Sequence, residues 1–207
     1  MLVCAVERGD EVFIPSGASA LEAGDKITVT AATNDLTRLI KNLGITEEKI
    51  RDVMIVGGGR IALYLAILLL DAGVDVKVIE KDPQRCRVLA EKLPRAMVIC
   101  GDGSSQKLLI AEGISDADAV IPLTGMDEEN LMISMYACDM GTPKTITKIN
   151  RAEYEAMFQR WGIDSTVNPK LLSATEIVRY VRDMGNSGGG SVLTMHRIAG
   201  GRTEALE

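Results

Sequence analysis

The stretch 53-VMIVGGGRIALYLAILLLDAG-73 is an apolar run that breaks at three glycines and resumes as ten residues without a charge. Asp52–Gly57 reads as a strand and Arg60–Ala72 as the helix that follows it. Gly57, Gly59 and Ala62 occupy the three small positions of G-x-G-x-x-[GA], with Gly58 between the first two. In such a turn the first glycine permits the tight reversal and the second lets a pyrophosphate approach the backbone. The third small residue lets the helix pack on the strand. The free N–H groups around Arg60 and Ile61, with the helix dipole behind them, form an anion site. Because the helix is apolar nearly all round, it is expected to be buried on every side.

Working outward, Asp75–Glu80 is a Val/Ile strand that ends at Glu80, 21 residues after Gly59. A carboxylate there accepts both hydroxyls of an adenosine ribose and repels a 2′-phosphate, which favours NAD over NADP. Lys81 and Arg85 nearby soften that preference. Asp82-Pro83 opens the next helix, where proline suits the first turn. Ala96–Cys100 is a short strand that ends at GDGSS. Ala117–Leu123 is another, ending at Thr124-Gly125, with Asp127 expected to cap the helix beyond. Lys144–Asn150 reads as the fifth strand. Repeated βα units of this kind imply a Rossmann-like, doubly wound parallel sheet with right-handed crossovers. Ligands bind such sheets at strand C-termini, which adds Asp102, Gly103, Thr124, Gly125 and Lys148 as candidates. Each is also what a turn or a cap would use. The cluster Asp127-Glu128-Glu129 reads as helix N-terminal charge rather than a metal site.

The flanks differ. Residues 1–45 give short β-rich pieces with turns at Arg8-Gly9-Asp10 and Ala23-Gly24-Asp25, a meander rather than a βα unit. After Asn150 come a short helix at Glu153–Arg160, a strand at Asp164–Val167 and a helix from Pro169. The last carries Leu171, Leu172, Ala174, Ile177, Val178, Val181 and Met184 on a stripe that needs a partner surface. The glycine-rich 185-GNSGGGS-191 reads as a flexible joint, and 192-VLTMHRIAG-200 as a strand leading to a turn. Both ends look incomplete, so the N-terminal and C-terminal pieces are expected to pair, within a chain or between two chains, and cover exposed strand edges.

Composition narrows the function. Of 207 residues, 46% are hydrophobic, 25% charged and only 3% aromatic, with a formal net charge of −6. That balance speaks against a nucleic-acid partner, which calls for a basic face with stacking aromatics. Cys4, Cys86, Cys100 and Cys138 form no CxxC, and with one histidine, His196, they make no zinc-type cluster. Scattered thiols suggest a reducing cytoplasm. The longest uncharged run, Ile61–Leu70, is half of the roughly 20 residues a bilayer crossing needs. A dehydrogenase needs a proton donor beside the nicotinamide. His196 lies in the tail and reads as a surface residue, and no tyrosine has a lysine four residues on. A cofactor site without catalytic equipment suggests a sensor rather than an enzyme, with a small NAD-dependent oxidoreductase as the competing class.

GGGRIA, the strand-end Glu80, GDGSS at 101–105, LTGMDEEN at 123–130 and TPKTITKIN at 142–150 come in one order. In that order they closely resemble the RCK (KTN) nucleotide-binding domain, in the form found in the TrkA family of Trk potassium-uptake regulatory subunits. The resemblance covers roughly Asp52–Met184. Residues 1–35 resemble the second half of that family's small C-terminal lobe, and residues 192–207 its start. The implied organisation is a small-lobe (RCK_C) part at 1–45, an NAD-binding domain (RCK_N) at 50–185, and a linker with the start of a second small lobe at 186–207. The chain thus looks like a slice of a longer one.

The resemblance implies a non-enzymatic subunit, self-associated as a dimer or tetrameric ring at the cytoplasmic face of the membrane. It would dock on a Trk-type potassium-transporting membrane subunit, whose gate responds to bound nucleotide. NAD or NADH would lie on Gly57–Ile61 with Glu80 on the ribose. Asp102 would sit near the adenosine, and Thr124, Gly125 and Lys148 would line the crevice. Ktr-type relatives use ATP and ADP in the same fold, which leaves that alternative open.

Overall fold

The computed structural model describes residues 2–9, 11–44, 49–161, 163, 165–185, 195–198 and 203–206. They fall into two units, Met1–Glu48 with Thr175–Glu207, and Lys49–Ala174.

In the first unit, β1 (Leu2–Arg8), β2 (Glu11–Phe13) and β3 (Lys26–Thr30) form an antiparallel sheet in the order β2-β1-β3. The hairpin between β1 and β2 pairs Arg8 with Glu11 around Gly9, whose φ of 59° is the left-handed conformation a side chain resists. Arg8 grips Asp25 with Nε and Nη2, both at 2.7 Å, which ties the loop before β3 to the end of β1. Instead of remaining purely β-rich, this segment continues into a helix, α1 (Thr33–Asn42). Its signals are Asp35 in the first turn, Lys41 in the last and an Asp35–Arg38 pair. Leu36, Leu39 and Ile40 fall at helical spacing along it and are half-buried, though none of its residues is fully buried.

In the second unit the order is β4 (Asp52–Val56), α2 (Arg60–Asp71), β5 (Asp75–Glu80), α3 (Pro83–Lys92), β6 (Met97–Cys100), α4 (Gln106–Ala111), β7 (Ala119–Pro122), α5 (Asp127–Asp139) and β8 (Lys144–Thr145). The strands make a parallel sheet ordered β6-β5-β4-β7-β8. Alternation along β4 serves both faces. Val53 and Ile55 meet Ala62, Ala66 and Leu70 of α2 and Leu89 of α3. Met54 and Val56 share the opposite core with Leu109 of α4 and with Ile133 and Ala137 of α5.

α2 departs from expectation. It rests on the sheet along the narrow Ala62–Ala66–Leu70 edge, while Tyr64 and Leu68 are 66% and 69% exposed. Two alanines at the contact let the helix lie close, and a helix lying on a sheet covers only one side of itself.

The expected fifth strand at Lys144–Asn150 is handed over between two neighbours. β8 pairs with β7, while β9 (Thr147–Lys148) pairs in parallel with β10 (Thr166–Val167). Ile146 N–H still donates to Val120 O, whereas Thr147 N–H donates to Ser165 O. Successive N–H groups on an extended chain face opposite sides, so one segment serves two ladders. Between β9 and β10 lie a 3₁₀ turn, Ala152–Tyr154, and α6 (Glu155–Arg160). Phe158, Ile163, Ile149 and Leu131 bury one another there.

α7 (Pro169–Gly185) begins in this unit, with Asn168 Oδ1 accepting from the N–H groups of Lys170 and Leu171. Leu171, Leu172, Ile177, Val178 and Val181 on it are exposed. β11 (Met195–Ile198) and β12 (Thr203–Leu206) form an antiparallel hairpin of their own. Among the described residues of the one chain it makes no ladder with β1–β3. The glycine-rich joint beyond Gly185 and the side chain of His196 lie outside the described residues. No described helix is long and apolar enough to cross a membrane.

Candidate functional site

The turn from β4 into α2 is built by what its glycines must avoid. Gly57 has φ +101°, and a Cβ there would lie 2.9 Å from Thr124 N. A Cβ on Gly58 would come within 2.4 Å of Leu89 Cδ1 and 3.0 Å of Glu80 Oε2. Gly59 is different, because a Cβ there would meet nothing within 4 Å. Two glycines are therefore demanded by the protein itself, and the third opens onto free space. No side chain caps α2, which leaves its first-turn N–H groups to an anion. Ala62, fully buried, fixes the helix close against the sheet.

Glu80 is wired into this loop. Its Oε2 accepts from Gly58 N–H at 2.6 Å and its Oε1 from Asp82 N–H at 2.9 Å. Arg85 Nε donates to Gly58 O at 2.6 Å from the first turn of α3. Asp82 caps that helix by accepting from Gln84 N–H at 2.8 Å. Asp102 Oδ1 accepts from Ser104 N–H and Oγ–H, and these bonds hold its carboxyl below the usual carboxylate range. A Cβ on Gly103 would strike Val56 Cγ1 at 2.2 Å, so the loop after β6 closes onto the sheet only with glycine there.

The far wall is organised by Asn130, fully buried in α5. Its Oδ1 accepts from Thr124 N–H at 2.9 Å and from Thr124 Oγ1 at 2.8 Å, while its Nδ2 donates to Lys148 O at 3.0 Å. Lys148 Nζ donates to Thr124 O at 2.6 Å. Burial pushes the Lys148 ammonium below its ordinary pKa, with Asp127 opposing the shift. Asp127 does not cap α5 as expected, since Met126 holds that position. The Asp127 carboxylate turns inward, 3% exposed, and accepts from Asn150 N–H and Nδ2 and from Arg151 N–H.

Nine predicted residues, Gly57, Gly58, Gly59, Glu80, Lys81, Asp102, Gly103, Thr124 and Gly125, line one cavity of about 260 Å³ at the strand C-termini. Arg60 and Ile61, both exposed, are not in its wall. Lys148 stands behind Thr124 rather than in the wall. Sequence reasoning missed Met126 and Glu129 in the lining, and Asn130 behind it. A signal was present: Asp127, Asn130 and Ser134 fall on one helical face, all buried. A larger cavity, about 520 Å³, lies at the opposite strand ends among Asp52, Asp75, Lys77, Arg95 and Glu112. Parallel sheets bind ligands at the carboxyl ends, so the smaller cavity is the candidate.

A Rossmann-like α/β sheet with a glycine turn against an acidic strand end defines the class of dinucleotide-fold proteins. Within that class, residues 53–169 match the TrkA-N domain model, and the chain belongs to that family. The Trk system potassium uptake protein TrkA of Halomonas elongata is 35% identical over 205 residues, 99% of this chain and 43% of its own length. The chain thus spans less than half of that relative. Among solved structures, the GsuK RCK domain aligns with a TM-score of 0.60 at 18% identity, covering 89% of this chain and 39% of its own. The GsuK channel bound to NAD aligns with a TM-score of 0.50 at 15% identity, over 59% of this chain and 22% of its own. At those identities the likeness is one of fold.

Proposed function

We propose that this chain is a nucleotide-sensing regulatory module of a potassium-transport system, not an enzyme, and that its ligand is NAD or NADH. The observation that carries the reading is Gly59, a glycine whose missing side chain faces open space at an uncapped helix N-terminus. A pyrophosphate placed there takes the first-turn N–H groups, and Glu80 takes ribose hydroxyls with the lone pairs its two backbone donors leave free. Asp102 and Gly103 flank the adenosine side, and Thr124 and Gly125 the other. The lining side chains bind and orient; among the described residues no histidine or tyrosine lines the cavity.

The wiring beyond the cavity suits transmission. Asn130 links Thr124 to Lys148, and Asp127 links α5 to Asn150 and Arg151, the segment that leads to α6 and α7. The exposed stripe of α7 suits self-association, as a dimer or ring. The likeness to Trk potassium-uptake proteins supports a Trk-type transporting subunit as the membrane partner, with this chain peripheral at the cytoplasmic face. In that arrangement 1–45 is the end of one small lobe, 50–185 the nucleotide domain and 186–207 the start of another.

Calorimetric titration with NAD, NADH, ATP and ADP tests the ligand, alongside Glu80→Ala. Binding of NAD or NADH, weakened roughly tenfold or more by the substitution, is the expected result. Affinity unchanged in Glu80→Ala refutes the ribose assignment. ATP or ADP is the second reading. Glu80 is compatible with it, because the adenosine ribose is common to both ligands. Tighter ATP binding would establish it.

A further inference from the structure

Two of the four cysteines gather around one backbone carbonyl, that of Glu80, beside the crevice. Cys100 ends β6 opposite Glu80 in the β5–β6 ladder, and Cys86 lies in the first turn of α3. Glu80 O accepts from Gly101 N–H at 2.9 Å and from Cys86 Sγ–H at 3.1 Å, so one carbonyl gathers both segments. Val98, two residues before Cys100, packs in the same core as Leu89 of α3, so Cys100 lies on the face of the sheet that α3 covers, and both cysteines are free thiols. Cys86 is buried and Cys100 is exposed.

We propose that Cys86 and Cys100 are a peroxide-responsive thiol pair whose disulfide loosens the hold of Glu80 on the glycine turn. The chemistry divides by exposure. The Cys100 thiolate attacks a peroxide oxygen; an S–O bond forms, the O–O bond breaks, and hydroxide leaves as water once protonated. Cys86 sulfur then attacks the sulfenic sulfur; an S–S bond forms, the S–O bond breaks, and the departing hydroxide takes the Cys86 proton. Two thiols lose two electrons and two protons, and one peroxide becomes two waters. Burial, together with Cys100 and the nearby carboxylates of Glu80 and Asp82, pushes the Cys86 thiol up to about 11, so the exposed partner reacts first.

Closing the sulfurs to about 2 Å draws Cys86 off Glu80 O. It also ties the first turn of α3 to the end of β6. Asp82, which caps α3, is one of the two backbone donors to the Glu80 carboxylate. Strain between these points falls on that carboxylate and hence on Gly58 N–H, its other donor.

The proposal rests on the nucleotide reading only for its effect on affinity, and the test separates the two. The protein is treated with hydrogen peroxide, then analysed by intact mass, peptide mapping and amide hydrogen exchange, with and without dithiothreitol. The expected result is loss of two hydrogens, one cross-linked peptide joining Cys86 to Cys100, and faster exchange at Gly58 and Asp82, all reversed by reductant. Cys86→Ser and Cys100→Ser should each abolish the cross-link. A Cys100 that goes to sulfinic acid with no cross-link, or bonds involving Cys4 or Cys138 instead, overturns the pair. A cross-link with unchanged exchange overturns the coupling. If NAD binds the reduced protein, oxidation should weaken it roughly fivefold or more. Unchanged NAD affinity after cross-linking would likewise refute the coupling. If no nucleotide binds the reduced protein, the functional reading fails, and exchange alone decides for or against the switch.

Discussion

Gly57, Gly58 and Gly59 look alike in sequence, and the structure gives each a different reason. Gly57→Ala forces a side chain into a left-handed backbone against Thr124, at a cost of about 1–2 kcal/mol from conformation alone. Gly58→Ala pushes on Leu89 and the Glu80 carboxylate and should cost about 1–3 kcal/mol through overpacking. Gly59→Ala should leave the urea unfolding midpoint of the free protein nearly unchanged while weakening nucleotide binding. Paired denaturation and titration on the three variants check this; a Gly59→Ala protein that keeps full affinity would remove the ligand from that position. The motif was readable because its spacing encodes a backbone geometry. The division of labour was not, since it depends on Leu89, Thr124 and Glu80, which arrive from other elements.

Elements reveal themselves in sequence when one face alternates with another, and fail to when polarity is buried. β4, β5 and the start of α3 lie where their apolar alternation and the Asp82-Pro83 signal put them. α5 misled, because Asp127 resembles a cap and Asn130 a surface residue. Their inward orientation serves chain ends that approach only in three dimensions. Asn130→Ala would leave Thr124 N–H and Lys148 O without partners in a buried site, at about 1–3 kcal/mol for each group. A lowered urea midpoint with an unaltered far-ultraviolet spectrum is expected, and a loss under about 0.5 kcal/mol would mean that water replaces the amide. α2 misled in the other direction, since an uncharged helix was expected to be enclosed and is instead apolar toward solvent.

At the scale of the whole molecule, one ion pair in the first unit makes stability depend on acid pH. Arg8 draws the Asp25 carboxyl from its usual 3.8 down to about 2, helped by the Glu22 N–H. Between those values the unfolded chain binds more protons than the folded one, so this contribution is complete above pH 3.8 and fades as pH falls toward 2. Acid titration followed by backbone resonances should show β1–β3 loosening in that window, and Arg8→Ala should remove the dependence. An identical acid profile in the variant would place the sensitivity elsewhere. These residues were legible only as turns, because an Arg and an Asp 17 apart carry no mark of their pairing.

The segment from Lys144 to Ile149 gives one edge to β7 and the other to β10. Left with a bare edge, the run Thr145-Ile146-Thr147-Lys148-Ile149 would be a β-branched template for other chains to join. β10, only two residues long, shuts that template and offers little of its own to pair with. Its small size is therefore a safeguard of solubility at high concentration, and trimming Ser165–Val167 would turn a quiet flank into a seed for aggregation.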